Sequence, residues 1–280
     1  MNGSRLHTPG HPGAGRDPDT IRRYQRLVGL YTKYYRPDVR GFDELPKEGP
    51  FLVVGNHSGG ATPPDMPILL NAWWRERGVE EPVYGLFHSF FLGLPGVRAP
   101  LTKFGALEAG WDAAEAVLND GGIVIVYPGG DHEAFRPWNR RNEIDFADRT
   151  GFIKLALRTG VPIVPAVTHG VQDSIVVLSR GEGLVKYMPH LRRWRLKVMP
   201  VMVGPPWGLS FGLPTLPLPA KATVQLGPPI DLAVENGPGA ENDEPYVRAC
   251  YDRVTKKMQT TLDRLAKEAG GPWPVSLLRR

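Results

Sequence analysis

Two residues that could carry out acid–base chemistry, His57 and Asp65, flank a loop rich in glycine and proline. The loop follows residues 50–55, a short β-branched segment that predicts a buried strand, and precedes residues 65–77, whose apolar spacing predicts a helix. A histidine at the end of a strand can meet substrate, and an acidic residue at the next helix start can turn back toward it. Asp65 is also suited to cap that helix, which is the purely structural alternative for this residue.

A histidine paired with a carboxylate is typical of general base catalysis. A lipid hydroxyl is a poor nucleophile at neutral pH, and a neutral imidazole that removes its proton during attack on a thioester carbonyl accelerates the reaction about 10²- to 10⁴-fold. A carboxylate on the other ring nitrogen fixes the tautomer and stabilises the imidazolium. No serine or cysteine nucleophile is required when the acceptor hydroxyl attacks directly. The pair formed by His57 and Asp65 therefore predicts transfer of an acyl group to a hydroxyl.

A second stretch with chemical potential, residues 126–137, also follows a predicted strand. Adjacent glycines, Gly129 and Gly130, allow the backbone to approach a ligand and to present N–H groups to a developing oxyanion. Arg136 could bind a phosphate or carboxylate through its two-pronged guanidinium group. The alternative is a tight turn with a surface arginine, in which Asp131, His132 and Glu133 are solvated.

Both stretches, together with residues 161–166, resemble three sequence blocks of the glycerolipid acyltransferase superfamily in the same order. The superfamily includes lysophosphatidic acid acyltransferases and a branch similar to monoacylglycerol and diacylglycerol acyltransferases, to which the Pro-Gly-Gly sequence of residues 128–130 is closer. The resemblance covers about residues 41–170. It implies that His57 is the general base and Asp65 its orienting partner. The substrate contacts it implies are Asn56, Ser58, Lys103, Gly129, Gly130, Glu133 and Arg136.

The sequence departs from the family pattern at two places. Seven residues separate His57 from Asp65, where the family usually has four. The second block is also longer than usual, which weakens the assignment of Arg136 to phosphate binding and makes Glu133 the alternative candidate, in the acidic role of this block. Lys103 is the candidate for the position where the family often has an arginine for glycerol phosphate.

Composition restricts the class of protein. The chain has 280 residues, 34 Lys and Arg against 29 Asp and Glu, and one cysteine, Cys250. One cysteine excludes an intramolecular disulfide and a zinc site with several thiolates. The small net charge gives no reason to expect nucleic acid as a partner. We expect no cofactor beyond the co-substrate, acyl-CoA or an acyl carrier protein, and no metal.

Strand and helix patterns alternate along the chain. Predicted strands at residues 50–55, 82–87, 122–127 and 161–168 alternate with predicted helices at residues 65–77, 109–119 and 148–158. This order predicts an α/β fold with a mostly parallel central sheet flanked by helices. We divide the chain into a disordered leader (1–19), an amphipathic helix and connection (20–40), an acyltransferase α/β domain (41–235), and a C-terminal packing helix and tail (236–280). Later strands are predicted at 196–203 and 222–226, with an irregular surface loop at 204–219.

Several features fit a peripheral protein on the cytoplasmic face of a membrane. No segment reaches the roughly 18 to 20 uncharged apolar residues that span a bilayer. The helix predicted at residues 20–35 either packs on the domain with a solvated basic face or rests on an anionic bilayer. Residues 87–97 form either a buried crossover or a lipid-facing rim. A basic and aromatic cluster at residues 186–197 fits an anionic surface or is solvated. The expected partners are a lipid acceptor, an acyl thioester donor and the membrane surface.

Two other classes of protein remain open on the sequence. The longer spacing between His57 and Asp65 keeps a non-catalytic lipid-binding protein on the same scaffold possible. The Gly-Asn-His sequence at residues 55–57 is also found in metal-dependent phosphoesterases, but these need an upstream Asp-x-His, which is missing before Gly55.

Overall fold

Ten strands lie in the part of the chain that the computed structural model describes, residues 2–60, 63–185, 198–213, 215–232 and 239–270. They are β1 (Asp38–Arg40), β2 (Phe51–Gly55), β3 (Val83–Phe87), β4 (Ala106–Glu108), β5 (Ile123–Val126), β6 (Ile163–His169), β7 (Val176–Ser179), β8 (Val201–Gly204), β9 (Gly208–Phe211) and β10 (Thr223–Leu226). Seven form one sheet in the order β1-β10-β6-β2-β5-β3-β4. All neighbouring pairs are parallel except β10 with β6. The predicted α/β fold with a mostly parallel sheet is confirmed.

Helices cover both faces of this sheet. In chain order they are α1 (Pro18–Lys33), α2 (Asp65–Glu76), α3 (Ser89–Leu92), α4 (Arg98–Lys103), α5 (Trp111–Asn119), α6 (Gly130–Ala134), α7 (Gly151–Thr159), α8 (Glu182–Val185) and α9 (Glu244–Ala269). Successive side chains of a strand point to opposite faces. Leu52 and Val54 therefore join the core under α5, α7 and α9, whereas Phe51 and Val53 join the core under α1 and α2. Burial on both faces explains why β2 is apolar throughout.

The amino terminus differs from the disordered leader predicted for residues 1–19. Residues 2–7 and 12–15 form short 3₁₀ helices, and Leu6 is fully buried in the core with Leu118. Arg16 donates from Nε to the carbonyl of Val83 at 3.2 Å and from Nη2 to that of Val79 at 2.5 Å. The Gly- and Pro-rich composition suggested disorder because it carries no periodic pattern, but one leucine and one arginine anchor the segment.

A second, three-stranded antiparallel sheet has the order β7-β8-β9. It corrects the prediction of an irregular loop at residues 204–219, because β9 lies within that range. The predicted strand at 196–203 is only partly described, and β8 begins at Val201. The basic and aromatic cluster at residues 186–197 lies outside the described residues. Residues 87–97 contain the short helix α3, in which Leu92 is buried and Phe91 is exposed.

Within the described residues, every helix is too short or too polar to cross a bilayer. The long helix α9 lies within the C-terminal segment 236–280, for which a packing helix is predicted, and its stripe of apolar residues packs on the sheet. Cys250 is buried on this stripe.

Candidate active site

The two sequence stretches with chemical potential meet at the carboxyl edge of the main sheet. β2 and β5 are parallel neighbours in which Val54 pairs with Val126, so the loops that follow them start side by side. His57 lies in the first loop and the helix α6 in the second. Ligands of open α/β sheets bind at this edge. The fold therefore brings together residues that are far apart in the sequence: His57 and Glu133, which are in contact, are 76 positions apart.

His57 and Asp65 form a hydrogen-bonded pair. The Nδ1 atom of His57 lies 3.0 Å from Oδ2 of Asp65, and the backbone N–H of Ser58 donates to the same oxygen at 2.8 Å. The other carboxylate oxygen accepts from the N–H of Met66 at 3.1 Å. The side chain of Asp65 is fully buried, whereas that of His57 is 18% exposed. Asp65 is the first residue of α2, so the predicted cap position is displaced by one residue to Pro64.

Two glycines explain how seven intervening residues still permit this contact. Gly59 and Gly60 have φ angles of +99° and +72°, which turn the chain back on itself and are rarely adopted by other residues. Gly60 also donates its N–H to the carbonyl of Ala134 at 3.0 Å, which ties the loop to the end of α6. The extra length of the loop is taken up without separating His57 from Asp65.

The electrostatic surroundings of His57 favour its charged form. Burial lowers the pKa of His57, but the carboxylate of Asp65 and its hydrogen bond outweigh that effect and raise the pKa above its usual value. The ring of Tyr127 stacks on the imidazole with 4.7 Å between ring centroids and 28° between planes. A hydrogen bond on Nδ1 and an aromatic face on the ring hold the imidazole, and neither contact involves Nε2.

Glu133 and Arg136 hold the backbone of His57. Glu133 is fully buried and accepts the N–H of His57 at 2.8 Å through Oε2, while Arg136 donates from Nη1 to Oε1 of Glu133 at 3.0 Å. Arg136 also donates from Nη2 to the carbonyl of His57 at 3.4 Å. Burial raises the pKa of Glu133 to about 7, although Arg136 and the N–H of His57 act against it.

This arrangement differs from the predicted roles of the same residues. The side chains of Arg136 and Glu133 are both completely buried, so neither presents a surface to a lipid phosphate. Asn56 and Ser58 are buried as well: Asn56 exchanges two hydrogen bonds with the backbone of Thr168, at 2.8 Å and 2.7 Å. The Oγ atom of Ser58 has no hydrogen-bond partner among the described residues. Glu133 and Arg136 thus support the backbone of His57, and contact of these four residues with substrate stays a prediction.

Gly129 and Gly130 lie at the start of α6, beside the dyad of His57 and Asp65. A Cβ atom on Gly129 would lie 2.4 Å from the side chain of Glu133, so only glycine leaves room for that carboxylate. Gly130 has a φ of +49°. Arg149 donates to the carbonyls of Pro128 and Gly129 at 3.0 Å and 2.8 Å. The structure thus shows a constrained turn here, and the predicted contact of the glycines with substrate stays a prediction.

Lys103 lies away from His57, contrary to the prediction. It ends α4 just before β4, and its carbonyl accepts the N–H of Asp17 at 2.9 Å. Because β4, β3, β5 and β2 are parallel, the amino end of β4 and the carboxyl end of β2 are on opposite edges of the sheet.

Sequence reasoning missed several neighbours of the dyad. Besides Tyr127 and Arg149, a second histidine–carboxylate pair joins Nε2 of His132 to Oδ2 of Asp145 at 2.8 Å, and Arg180 contacts the same oxygen at 3.2 Å. Burial acts to raise the pKa of Asp145, but the hydrogen bond from His132 and the charge of Arg180 help lower it to about 2. The aromatic residue directly after a strand was the available signal for Tyr127. No local sequence pattern indicates that Arg180 and Asp145 lie near the dyad, because both are distant from His57 in the sequence.

One serine also fits a known nucleophile pattern, Gly-x-Ser-x-Gly, at residues 208–212. In the structure Ser210 lies within β9 on the buried face of the small sheet and donates to the carbonyl of Leu213 at 3.2 Å. The sharp strand-to-helix turn of serine hydrolases is not formed there. Among the described residues, no group of three or more His, Cys, Asp or Glu side chains is placed to hold a metal ion.

The fold and the dyad define an α/β protein with a buried carboxylate orienting a partly exposed imidazole. Comparison with protein families gives a more specific class. The chain belongs to the diacylglycerol acyltransferase family, whose model matches residues 78–263. The matched range begins after Asp65, so the dyad is supported by its own geometry and not by this match.

Curated relatives include a protein of Mycobacterium tuberculosis named "Uncharacterized protein Rv0502", 29% identical over 84% of this chain and 63% of that protein. The human "DGAT1/2-independent enzyme synthesizing storage lipids" is 26% identical over 77% of this chain and 61% of its own length. The chain thus spans about three fifths of the length of these relatives. A "Diacylglycerol O-acyltransferase 2" of Dictyostelium discoideum is 30% identical over 55% of this chain and 47% of its own length.

A solved structure is also similar, the 1-acyl-sn-glycerophosphate (LPA) acyltransferase PlsC from Thermotoga maritima. It matches with a TM-score of 0.48 and 18% identity, over 87% of this chain and 83% of that chain.

Proposed function

We propose that the protein transfers a fatty acyl group from a thioester to a lipid hydroxyl, with His57 as general base. Nδ1 of His57 donates to Asp65, so Nε2 carries the free lone pair. Nε2 takes the proton of the acceptor hydroxyl while its oxygen attacks the thioester carbonyl. The carbon–sulfur bond then breaks, and the imidazolium returns the proton to the departing thiolate. General base catalysis of this kind contributes about 10²- to 10⁴-fold.

The observation that carries this proposal is the 3.0 Å contact between Nδ1 of His57 and Oδ2 of Asp65. A fully buried carboxylate beneath a partly exposed imidazole is the arrangement in which one group orients and the other reacts. The contact supports a catalytic dyad over the non-catalytic scaffold, because that alternative rests on the longer spacing between the two residues.

The substrates follow from the family and from the names of the relatives. The proposed acceptor is an acylglycerol, as in the names "Diacylglycerol O-acyltransferase 2" and "enzyme synthesizing storage lipids", or a lysophospholipid. The proposed donor is acyl-CoA or an acyl carrier protein. The reaction would serve lipid metabolism, including phospholipid biosynthesis if the acceptor is a lysophospholipid.

We further propose that the protein works on the cytoplasmic face of a membrane as a peripheral protein, with α1 against an anionic bilayer. Leu27 and Leu30 on α1 are 63% and 67% exposed although both are apolar. The exposed basic residues Arg23, Arg26 and Lys33 lie on the same helix. A helix with exposed apolar and basic sides is typical of interfacial binding.

The proposal is tested by thiol release. Purified protein is mixed with acyl-CoA and a panel of lysophospholipids and acylglycerols, and free CoA is followed. We expect turnover with at least one acceptor, loss of about a hundredfold or more in His57→Ala, and no change in His7→Ala, a matched replacement of an exposed histidine. Unchanged turnover in His57→Ala would remove His57 from the mechanism. Lipid that co-purifies with a protein showing no turnover on any acceptor would favour the lipid-binding alternative.

A further inference from the structure

The small sheet formed by β7, β8 and β9 has an apolar outer face. Its inner face places Val177 and Met202 against Ile175 and Phe135. The outer face exposes Leu178, Val203, Leu209 and Phe211, of which Leu209 and Phe211 are 52% and 53% exposed. None of the twelve residues in the three strands is charged. An antiparallel sheet with one solvated face normally alternates apolar and polar side chains, so a sheet apolar on both faces indicates a second contact.

This outer face is continuous with the exposed side of α1. Leu216, which is also exposed, donates its N–H to the carbonyl of Pro205 at 2.8 Å, between β8 and β9. The next residue, Pro217, accepts at 2.7 Å from the hydroxyl of Tyr34 at the end of α1. Leu27, Leu30 and Tyr34 recur at intervals of three and four residues, so they share one side of that helix. An exposed apolar band therefore runs from α1 through Leu216 to the small sheet.

The band lies beside the catalytic edge. Near the end of α1, Thr32 accepts from Nδ2 of Asn71 at 3.4 Å, and Asn71 lies on α2, the helix that begins at Asp65. At the other end, Gly60 in the dyad loop packs against Ile175, the residue that precedes β7. A flat surface that meets both α1 and the small sheet would therefore cover the side of the protein on which His57 is reached.

Charge identifies the occupant of this band as a lipid bilayer and not a second copy of the chain. Arg23, Arg26 and Lys33 flank the apolar side of α1. Two copies would bring like charges together, whereas anionic headgroups would attract about 1 kcal/mol per basic residue near the surface.

We propose that the outer face of the small sheet is a membrane-docking surface that acts together with α1 to hold the His57 edge against an anionic bilayer. The inference rests on the proposed function for its purpose, but not for its structure. An acceptor lipid could then reach His57 while its acyl chains remain in the bilayer. The sheet contributes apolar contact, and α1 contributes both apolar contact and positive charge.

The test replaces two outward residues of β9 by Leu209→Ser/Phe211→Ser. Vesicles of phosphatidylcholine with phosphatidylglycerol are floated with wild type, this variant and Trp111→Ser, which removes an exposed aromatic residue from the opposite side of the main sheet. We expect the double variant to bind roughly tenfold or more weakly, since two exposed apolar side chains no longer enter the bilayer. Trp111→Ser should bind as wild type. Phe211→Ser alone provides a milder variant should the double one unfold, as judged by circular dichroism, and should show part of the loss.

Turnover separates this inference from the proposed function. With a water-soluble short-chain acceptor below its micellar concentration, the double variant should release thiol as fast as wild type. With the acceptor in vesicles it should be slower by the same factor as its binding. Vesicle binding equal to wild type in both β9 variants would overturn the docking surface. The proposal would also be overturned if light scattering showed a dimeric wild type and monomeric β9 variants while vesicle binding stayed unchanged. That result would assign the face to a second copy of the chain. Failure of wild type to turn over any acceptor, with binding still lost in the variants, would count against the proposed function alone.

Discussion

The carboxylate of Asp65 has two effects on His57: it fixes the tautomer and it raises the pKa. A general base must be neutral, so kcat/KM should rise with pH as His57 loses its proton. In Asp65→Asn the negative charge is gone, and burial, which lowers the pKa of His57, is opposed only by the weaker effect of Glu133. The rising limb of the pH profile should move to lower pH, and the plateau should fall about a hundredfold or more because the tautomer is no longer fixed.

The measurement is kcat/KM against pH for wild type, Asp65→Asn and Asp43→Asn, an exposed control. A limb that stays in place in Asp65→Asn would mean that a group other than His57 is titrating.

Glu133 is expected to act as a positioning residue, because it is buried and accepts the N–H of His57. In Glu133→Gln the amide cannot accept from both His57 and Arg136 without also placing an N–H against one of them. We expect kcat to fall about tenfold or more, with KM for the acceptor nearly unchanged. Glu76→Gln, on the exposed side of α2, should leave both constants unchanged. A raised KM with normal kcat would instead support the substrate contact that the family resemblance implies.

The contact between His57 and Asp65 could be predicted from sequence, but the contacts of the neighbouring residues could not. His57 and Asp65 are close in the chain and bracket a strand-to-helix loop, so local geometry limits where they can lie. Arg136 and Glu133 are charged residues in a turn, for which exposure is the usual expectation. Their burial depends on each other and on the backbone of His57, which are partners that no local pattern reveals.

The amide of Asn56 extends the pairing of β2 and β6 beyond the last residue of β2, through its two hydrogen bonds to Thr168. Asn56→Ala would leave the N–H and carbonyl of Thr168 buried and unpaired. The free energy of unfolding should fall by about 2–4 kcal/mol. Urea denaturation measures this loss, with Asn119→Ala, a replacement of an exposed asparagine, as the control. Equal midpoints for the two variants would show that Thr168 finds other partners.

The strands and helices of the main sheet could be located from apolar runs and helical spacing, because each is buried along a regular face. The strands of the small sheet could not be located from such patterns. β8 and β9 are short, are bounded by Gly and Pro, and present apolar side chains on both faces, so they show neither alternation nor a continuous buried run. Their antiparallel pairing also depends on β7, which lies more than twenty residues earlier.

The first residues of the chain pack against the core that α5 and α9 cover. Leu6 is fully buried there, whereas Leu27 of α1 is 63% exposed. Leu6→Ala should lower the free energy of unfolding by about 2–4 kcal/mol by opening a cavity, and Leu27→Ala should change it by less than about 0.5 kcal/mol. Thermal and urea unfolding of both variants test this. A Leu6→Ala variant as stable as wild type would restore the interpretation of this segment as a loose leader.

The central claim is that His57 activates the acceptor hydroxyl for direct attack on the thioester. The most direct measurement is a single-turnover experiment in which wild type and His57→Ala are mixed with acyl-CoA, with and without acceptor, and followed by thiol release and intact protein mass. We predict no thiol release and no added mass until acceptor is present, then rapid release by wild type and release about a hundredfold or more slower by His57→Ala. A wild-type protein that gains one acyl group in the absence of acceptor, or a His57→Ala variant that keeps the wild-type rate, would contradict the claim.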